Sequence, residues 1–244
     1  MKCSKSKGRA IKILLVIMII FLNITIINVE ATNRKIGVVG NNIKGKTKVL
    51  DMFLSIPNIS GLENKDKEKA INENIEKEAV EFGNKIKLLS EEEKEYIGYN
   101  EEANVYEALV NFTIPYNNGE FLSLLVDHYS YTGGAHGITY RKNYNIDAKT
   151  GDVLKLKDIF KDNYDYEKII NNIIKKEIGK DKESFFQDSF HGINEDTNFY
   201  IEKENMVVYF QLYEITPYAS GFPKFKIPLK DVESGIKLSL KSII

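Results

Sequence analysis

Two long apolar-rich runs, Val105 to Tyr116 and Glu120 to Tyr131, are separated only by Asn117-Asn118-Gly119. Asn and Gly accept the positive φ of a tight turn, so the two runs are constrained to an antiparallel hairpin. A third strand, Ile138 to Asp147, follows a glycine-rich turn at 132–137 and extends the meander. Ahead of the hairpin, a strand-like run from Val49 to Ile56 is stopped by Pro57. Asn64 then opens a helical stretch in which Ala70, Ile71, Ile75, Ala79 and Phe82 share one face. Lys and Glu fill the other face, the pattern of a solvated surface.

Beyond the meander, Leu154, Leu156, Ile159 and Phe160 make a short apolar edge, and Tyr166 to Ile178 has helical spacing. Two strands follow, Phe199 to Glu202 and Met206 to Tyr213, then a last strand from Lys224 to Pro228 and a closing helical turn near Leu229–Glu233. Val207 to Tyr213 alternates little, which predicts burial on both faces and places Phe210 and Leu212 in the core. The element order predicts an α+β fold, mainly antiparallel sheets with two packed helices.

The first residues, MKCSKSKGRAIK, are basic, and an apolar run from Ile13 to Ile27 follows. Val29 and Ala31 then stand at the −3 and −1 positions of a signal-peptidase site. Residues 1–31 therefore read as a secretory signal peptide, because fifteen helical residues span roughly 22 Å, short of a bilayer core. Membrane attachment is expected only if the segment is not cleaved. Residues 32–48 are Gly-, Asn- and Lys-rich and read as a flexible leader. The single cysteine, Cys3, lies in the signal segment, so the exported part is held by packing without disulfides.

Thirty-four Lys and Arg face 35 Asp and Glu, and this balance argues against a nucleic-acid partner. His128, His136 and His191 form no metal-ligand pair, so neither metal nor cofactor is expected. Two segments concentrate unusual residues. Tyr131-Thr132-Gly133-Gly134-Ala135-His136-Gly137 sets one histidine among glycines, and either close backbone approach or a plain strand connection explains it. Tyr213-Glu214-Ile215-Thr216-Pro217-Tyr218-Ala219-Ser220-Gly221 sets a carboxylate, two tyrosines and small residues in one loop. Tyrosine is common at interfaces. The candidate binding residues are Tyr131, Gly133, Gly134, His136, Gly137, Tyr213, Glu214, Pro217, Tyr218 and Gly221.

YTGGAHG, followed by NYNIDAKTGDVLKLKDIF, VVYFQLYEITPYASG and FPKFKIPLKDV, resembles the extracellular domain of the anti-sigma-V factor (RsiV-type) lysozyme receptors. LDMFLSIPNISGLENKDKEKAINENI resembles the N-terminal companion domain of PdaC-type peptidoglycan deacetylases. The resemblance implies a PdaC-type region over 49–131 and an RsiV-type region over 132–244, joined in one compact unit. It also implies a binding or sensing module of the Gram-positive cell envelope, with a lysozyme-like hydrolase or peptidoglycan as ligand. Only a dozen residues precede the apolar run, too few for an anti-sigma segment, and the deacetylase's metal-binding motifs do not occur. A non-catalytic secreted module is thus the expectation. The alternative is an envelope hydrolase or deacetylase-like enzyme with His136 and Glu214 as an acid–base pair. Signal-peptidase cleavage is expected after Ala31, and mass spectrometry of exported protein should find Thr32 at its N-terminus; an intact Met1 end would refute it.

Overall fold

The structure, a computed structural model, describes residues 36–97 and 105–244. The expected signal segment, residues 1–31, lies outside these residues. Five strands form the larger sheet in the order β1 (Gly37–Lys46), β2 (Leu50–Ser60), β3 (Tyr106–Asn117), β4 (Phe121–Tyr131) and β5 (Ile138–Asp147). All neighbours are antiparallel except β2 and β3, which pair in parallel from Leu50↔Tyr106 to Leu54↔Val110. A parallel pair needs a crossover, and α1 (Lys65–Ile97) lies in that connection. Its start is fixed by Asn64, whose Oδ1 accepts the Lys67 N–H at 3.1 Å.

The second sheet holds β6 (Phe199–Glu202), β7 (Asn205–Tyr209) and β8 (Lys224–Pro228) in that order. Between the sheets in sequence come the turn α2 (Leu156–Ile159) and the helix α3 (Tyr166–Ile178); α4 (Leu229–Val232) follows β8. The fold is α+β, as the pattern predicts.

Strand β4 shows how the layers arise. Leu122, Leu124 and Val126 join Ile71, Ile75 and Ala79 of α1 in one core. Phe121 and Leu125 alternate to the opposite face, where Phe121 meets the core of α3 and Leu125 meets Tyr200, Val207 and Tyr209. Strand β7 is likewise covered on both sides: Met206 and Val208 pack with Ile170 and Ile174, Val207 and Tyr209 with Leu125.

Three expectations are corrected. Residues 37–46, read as part of a flexible leader, form the edge strand β1, paired with β2 over its whole length. Its polar composition misleads because an edge strand needs backbone pairing and little apolar side chain, although Ile36 and Val38 still enter the α1-side core. Pro57 does not end β2, which runs on to Ser60. Beyond Leu54 the strand has lost β3 as a neighbour, and Asn72 of α1 instead bonds the N–H and C=O of Ile59, each at 2.8 Å. The missing N–H of Pro57 lies on that same side, where no ladder runs. Finally, β7 stops at Tyr209; Phe210 is buried, but Leu212 is only half-buried.

Removing residues 33–46 should therefore destabilise the protein. Loss of the buried Ile36 alone is of the size of a large-to-small core change, about 2–5 kcal/mol, so a fall in Tm on the order of 10 °C is expected by thermal melting. An unchanged Tm would restore the flexible-leader reading.

Candidate functional site

The two singled-out loops leave different sheets and meet. After β4, the chain turns through Gly133 and Gly134, both at φ 93°, and the Tyr131 hydroxyl closes the turn by donating to the Gly134 carbonyl at 2.9 Å. Gly137 is needed for a different reason. A Cβ there would lie 2.4 Å from the Tyr129 ring and 2.5 Å from the Ser130 carbonyl. This close approach directs His136 out over the neighbouring loop.

That loop is docked on β5 by side chains acting as strand backbone. The Gln211 amide accepts from the Arg141 N–H at 3.1 Å and donates to the Arg141 carbonyl at 2.7 Å. The Arg141 guanidinium makes two bonds to Asp127, 2.7 and 2.6 Å, and covers the Phe222 ring at 4.2 Å. Between Gln211 and Phe222 the chain is tightly wound. Tyr213 has φ 65°, uncommon for a bulky residue, and Glu214 spends its carboxylate on the Gln211 N–H at 2.7 Å. Pro217 begins a single 3-10 turn, Tyr218–Ser220, and Gly221 leaves it at φ 67°.

The result is an aromatic cluster. The His136 ring stacks on Tyr218, centroids 3.9 Å apart and planes at 12°. Its Nδ1 lies 2.9 Å from the Gly137 carbonyl and its Nε2 3.2 Å from the Tyr213 hydroxyl. The Tyr213 and Tyr218 rings are 5.7 Å apart, and Tyr213 is 47% exposed. His136, Tyr213 and Tyr218 are thus brought together; Tyr131, the glycines and Pro217 shape the two loops that hold them. Glu214 faces Gln211 instead, so the acid–base pair of His136 and Glu214 is not assembled. Among the described residues, no group of three or more His, Cys, Asp and Glu could hold a metal ion.

A second feature escaped the sequence reading. Beside the cluster, an open groove of about 420 Å³ runs between α1 and the ends of β4 and β5. Phe82, His128, Ile138, Tyr140 and Leu212 line it, with the ion pair of Lys142 and Glu78 at 2.5 Å along one wall. Burial would raise the Glu78 carboxyl, but bonds from Lys142 and Tyr144 outweigh it and hold it low. Burial lowers His128, which packs edge-on against Phe82 and leaves Nδ1 buried without a hydrogen-bond partner. The available signal was phase: His128 continues the face of Leu122, Leu124 and Val126, a polar residue in a core register. The groove itself needs three elements that are distant in sequence.

Two family models match different parts of the chain. The family model described as Deacetylase PdaC matches residues 43–139, and that of Protein of unknown function (DUF3298) matches 157–230. The first match falls in the larger sheet with α1, the second in the part that holds α3 and the smaller sheet. The glycine-rich turn belongs to the first and the Tyr213–Gly221 loop to the second, so the aromatic cluster is built from both. Bacillus subtilis peptidoglycan-N-acetylmuramic acid deacetylase PdaC is 26% identical over 208 residues, 81% of this chain but 41% of the deacetylase. The chain thus spans about two fifths of that relative. The anti-sigma-V factor RsiV of the same organism is 27% identical over 231 residues, 86% of this chain and 77% of RsiV. A DUF3298-family crystal structure from Bacteroides fragilis superposes with TM-score 0.64 at 17% identity, covering 85% of this chain and 96% of that one. One from Pseudomonas aeruginosa gives 0.55 at 14% identity, covering 84% and 95%. These solved chains extend across both regions, which together make one fold.

His128 generates a pH prediction. Its unfolded-state value is near 6.5 and its folded value is lower. Above 6.5 both states carry the neutral ring. As pH falls through 6.5 the unfolded chain binds a proton that the native chain refuses, so stability drops. Lost carboxylate interactions such as that of Glu78 enter only below about 4.5. The fall in Tm between about pH 7.5 and about pH 5.5 should therefore be smaller in His128→Gln than in the parent. Equal falls would show that His128 does not contribute.

Proposed function

We propose that this protein is an envelope-associated sensing domain that recognises a lysozyme-like wall hydrolase through the His136–Tyr213–Tyr218 cluster. The observation that carries the reading is the stacking of His136 on Tyr218 at the tips of two docked loops, beside an exposed Tyr213. Stacking fixes the rings before any partner arrives, which reduces the ordering cost of association. Rigid, partly exposed aromatic side chains are the usual anchors of protein interfaces. The likeness to RsiV over most of both chains, together with the resemblance of these two loops to lysozyme receptors, supports this choice of partner class. A binding role is favoured over hydrolysis because His136 is engaged by a carbonyl and a phenol, with Glu214 turned away.

Tyr218→Ala should weaken lysozyme binding about 30-fold, equivalent to about 2 kcal/mol, with Tm within about 2 °C of the parent. Isothermal titration and thermal melting on the same variant check this. A large loss of Tm with unchanged affinity would make the cluster a scaffold and overturn the reading.

A further inference from the structure

The groove beside the cluster is a separate feature with its own chemistry. Tyr140 is 57% exposed and pairs directly opposite His128 across β4 and β5, so both side chains stand on the same sheet face. Ile138 is 49% exposed on that face, two residues back along β5, and Phe82 and Leu212 close the sides. An apolar floor of this kind accepts a ligand with a flat hydrocarbon face. One wall is different. The Glu78–Lys142 pair sits there about two-thirds shielded from water, and Ser130 lies nearby. His128 lies in the floor, 9% exposed, with its unpartnered Nδ1 buried beneath the surface.

The charge on this wall is balanced, and that limits the occupant. An anion or cation would have to compete with an existing 2.5 Å ion pair. A purely apolar side chain would strip water from Glu78 and Lys142 and return no hydrogen bonds, a net cost. A neutral molecule with one apolar face and hydroxyls around its rim satisfies both surfaces. Pyranose sugars have this form: axial C–H groups pack on an aromatic ring while equatorial hydroxyls bond polar side chains.

We propose that the α1–β5 groove is a saccharide subsite, with Tyr140 as the stacking platform, the His128 ring in the floor, and Glu78 and Lys142 as hydrogen-bonding groups for a neutral pyranose unit. A volume of about 420 Å³ lies in the ordinary range of small-ligand sites. The groove is open, so a unit within a longer chain fits as well as a free sugar. The subsite uses none of the residues of the aromatic cluster, and it stands or falls independently of hydrolase recognition.

The test is titration of the exported chain with the β-1,4-linked trimers of glucose and of N-acetylglucosamine, and with an α-1,4-linked glucose trimer. N-acetyl-leucine amide serves as the apolar control. Nuclear magnetic resonance would follow the His128 and Tyr140 rings. At least one sugar should saturate and move both rings. Tyr140→Ala should weaken that sugar about tenfold or more, whereas Tyr140→Phe, which keeps the aromatic face, should bind within about twofold of the parent. Tyr218→Ala should leave sugar binding unchanged, which separates this site from the hydrolase surface. The proposal is overturned if no sugar saturates, if Tyr140→Ala binds like the parent, or if the apolar control binds better than every sugar.

Discussion

Ser123 and Asn145 are buried between the two sheets, and the relation of those sheets depends on them. The Ser123 hydroxyl donates to Asn145 Oδ1 at 2.6 Å and accepts the Ile201 N–H at 2.9 Å; Asn145 Nδ2 donates to the Phe199 carbonyl at 2.8 Å. The outward N–H and C=O of β6 are thereby satisfied by side chains of β4 and β5. An unsatisfied polar group at this depth costs roughly 1–3 kcal/mol, so shifting β6 by one residue would be strongly opposed. With β6 fixed, β7 and β8 follow by pairing, and the loop after β7 is delivered to the end of β5. Strand β6 is thus tied to β4 and β5 by polar side-chain bonds surrounded by hydrocarbon.

The same device recurs at three other places where a strand lacks a neighbour. Asn117 bonds the N–H and C=O of Ile36 at the start of β1, Asn72 does so for Ile59, and Gln211 for Arg141. A side-chain amide has the donor and acceptor of a peptide group, and it completes an edge without adding a strand. The high Asn content, which as composition suggests no role, is in these places structural. Gln211 matters most for the site, because it and the Arg141–Phe222 contact hold the two ends of the loop that carries Tyr213 and Tyr218.

Strands β3, β4, β5, β6 and β8 and helices α1 and α3 were legible because each has a clear period and a turn or cap at its ends. Strand β1 was not: Val39 and Ile43 are exposed, so the strand shows no apolar alternation. The end of β7 was misplaced because Phe210 and Leu212 continue its apolar run; Phe210 still donates to the Pro223 carbonyl in the β7–β8 register, and the chain turns away at Gln211. For the site, the glycines and tyrosines marked both loops correctly as special backbone. Their meeting comes from two different sheets and the Arg141 contacts, which no local pattern records. The groove was illegible, since no local pattern records that α1 leaves the far ends of β4 and β5 uncovered.

The parallel pairing of β2 with β3 has a consequence in time. Leu50 can meet Tyr106 only after the whole of α1 has been made and laid back across the sheet. The β3–β4–β5 meander, by contrast, closes through short turns, and local closure is fast while distant closure is slow. A chain emerging N-terminus first therefore presents its β1–β2 hairpin early and without a sheet to join. Until the meander forms, the edge of β2 that will receive β3 stays open, and this interval is when the emerging chain is most exposed to aggregation and to proteases.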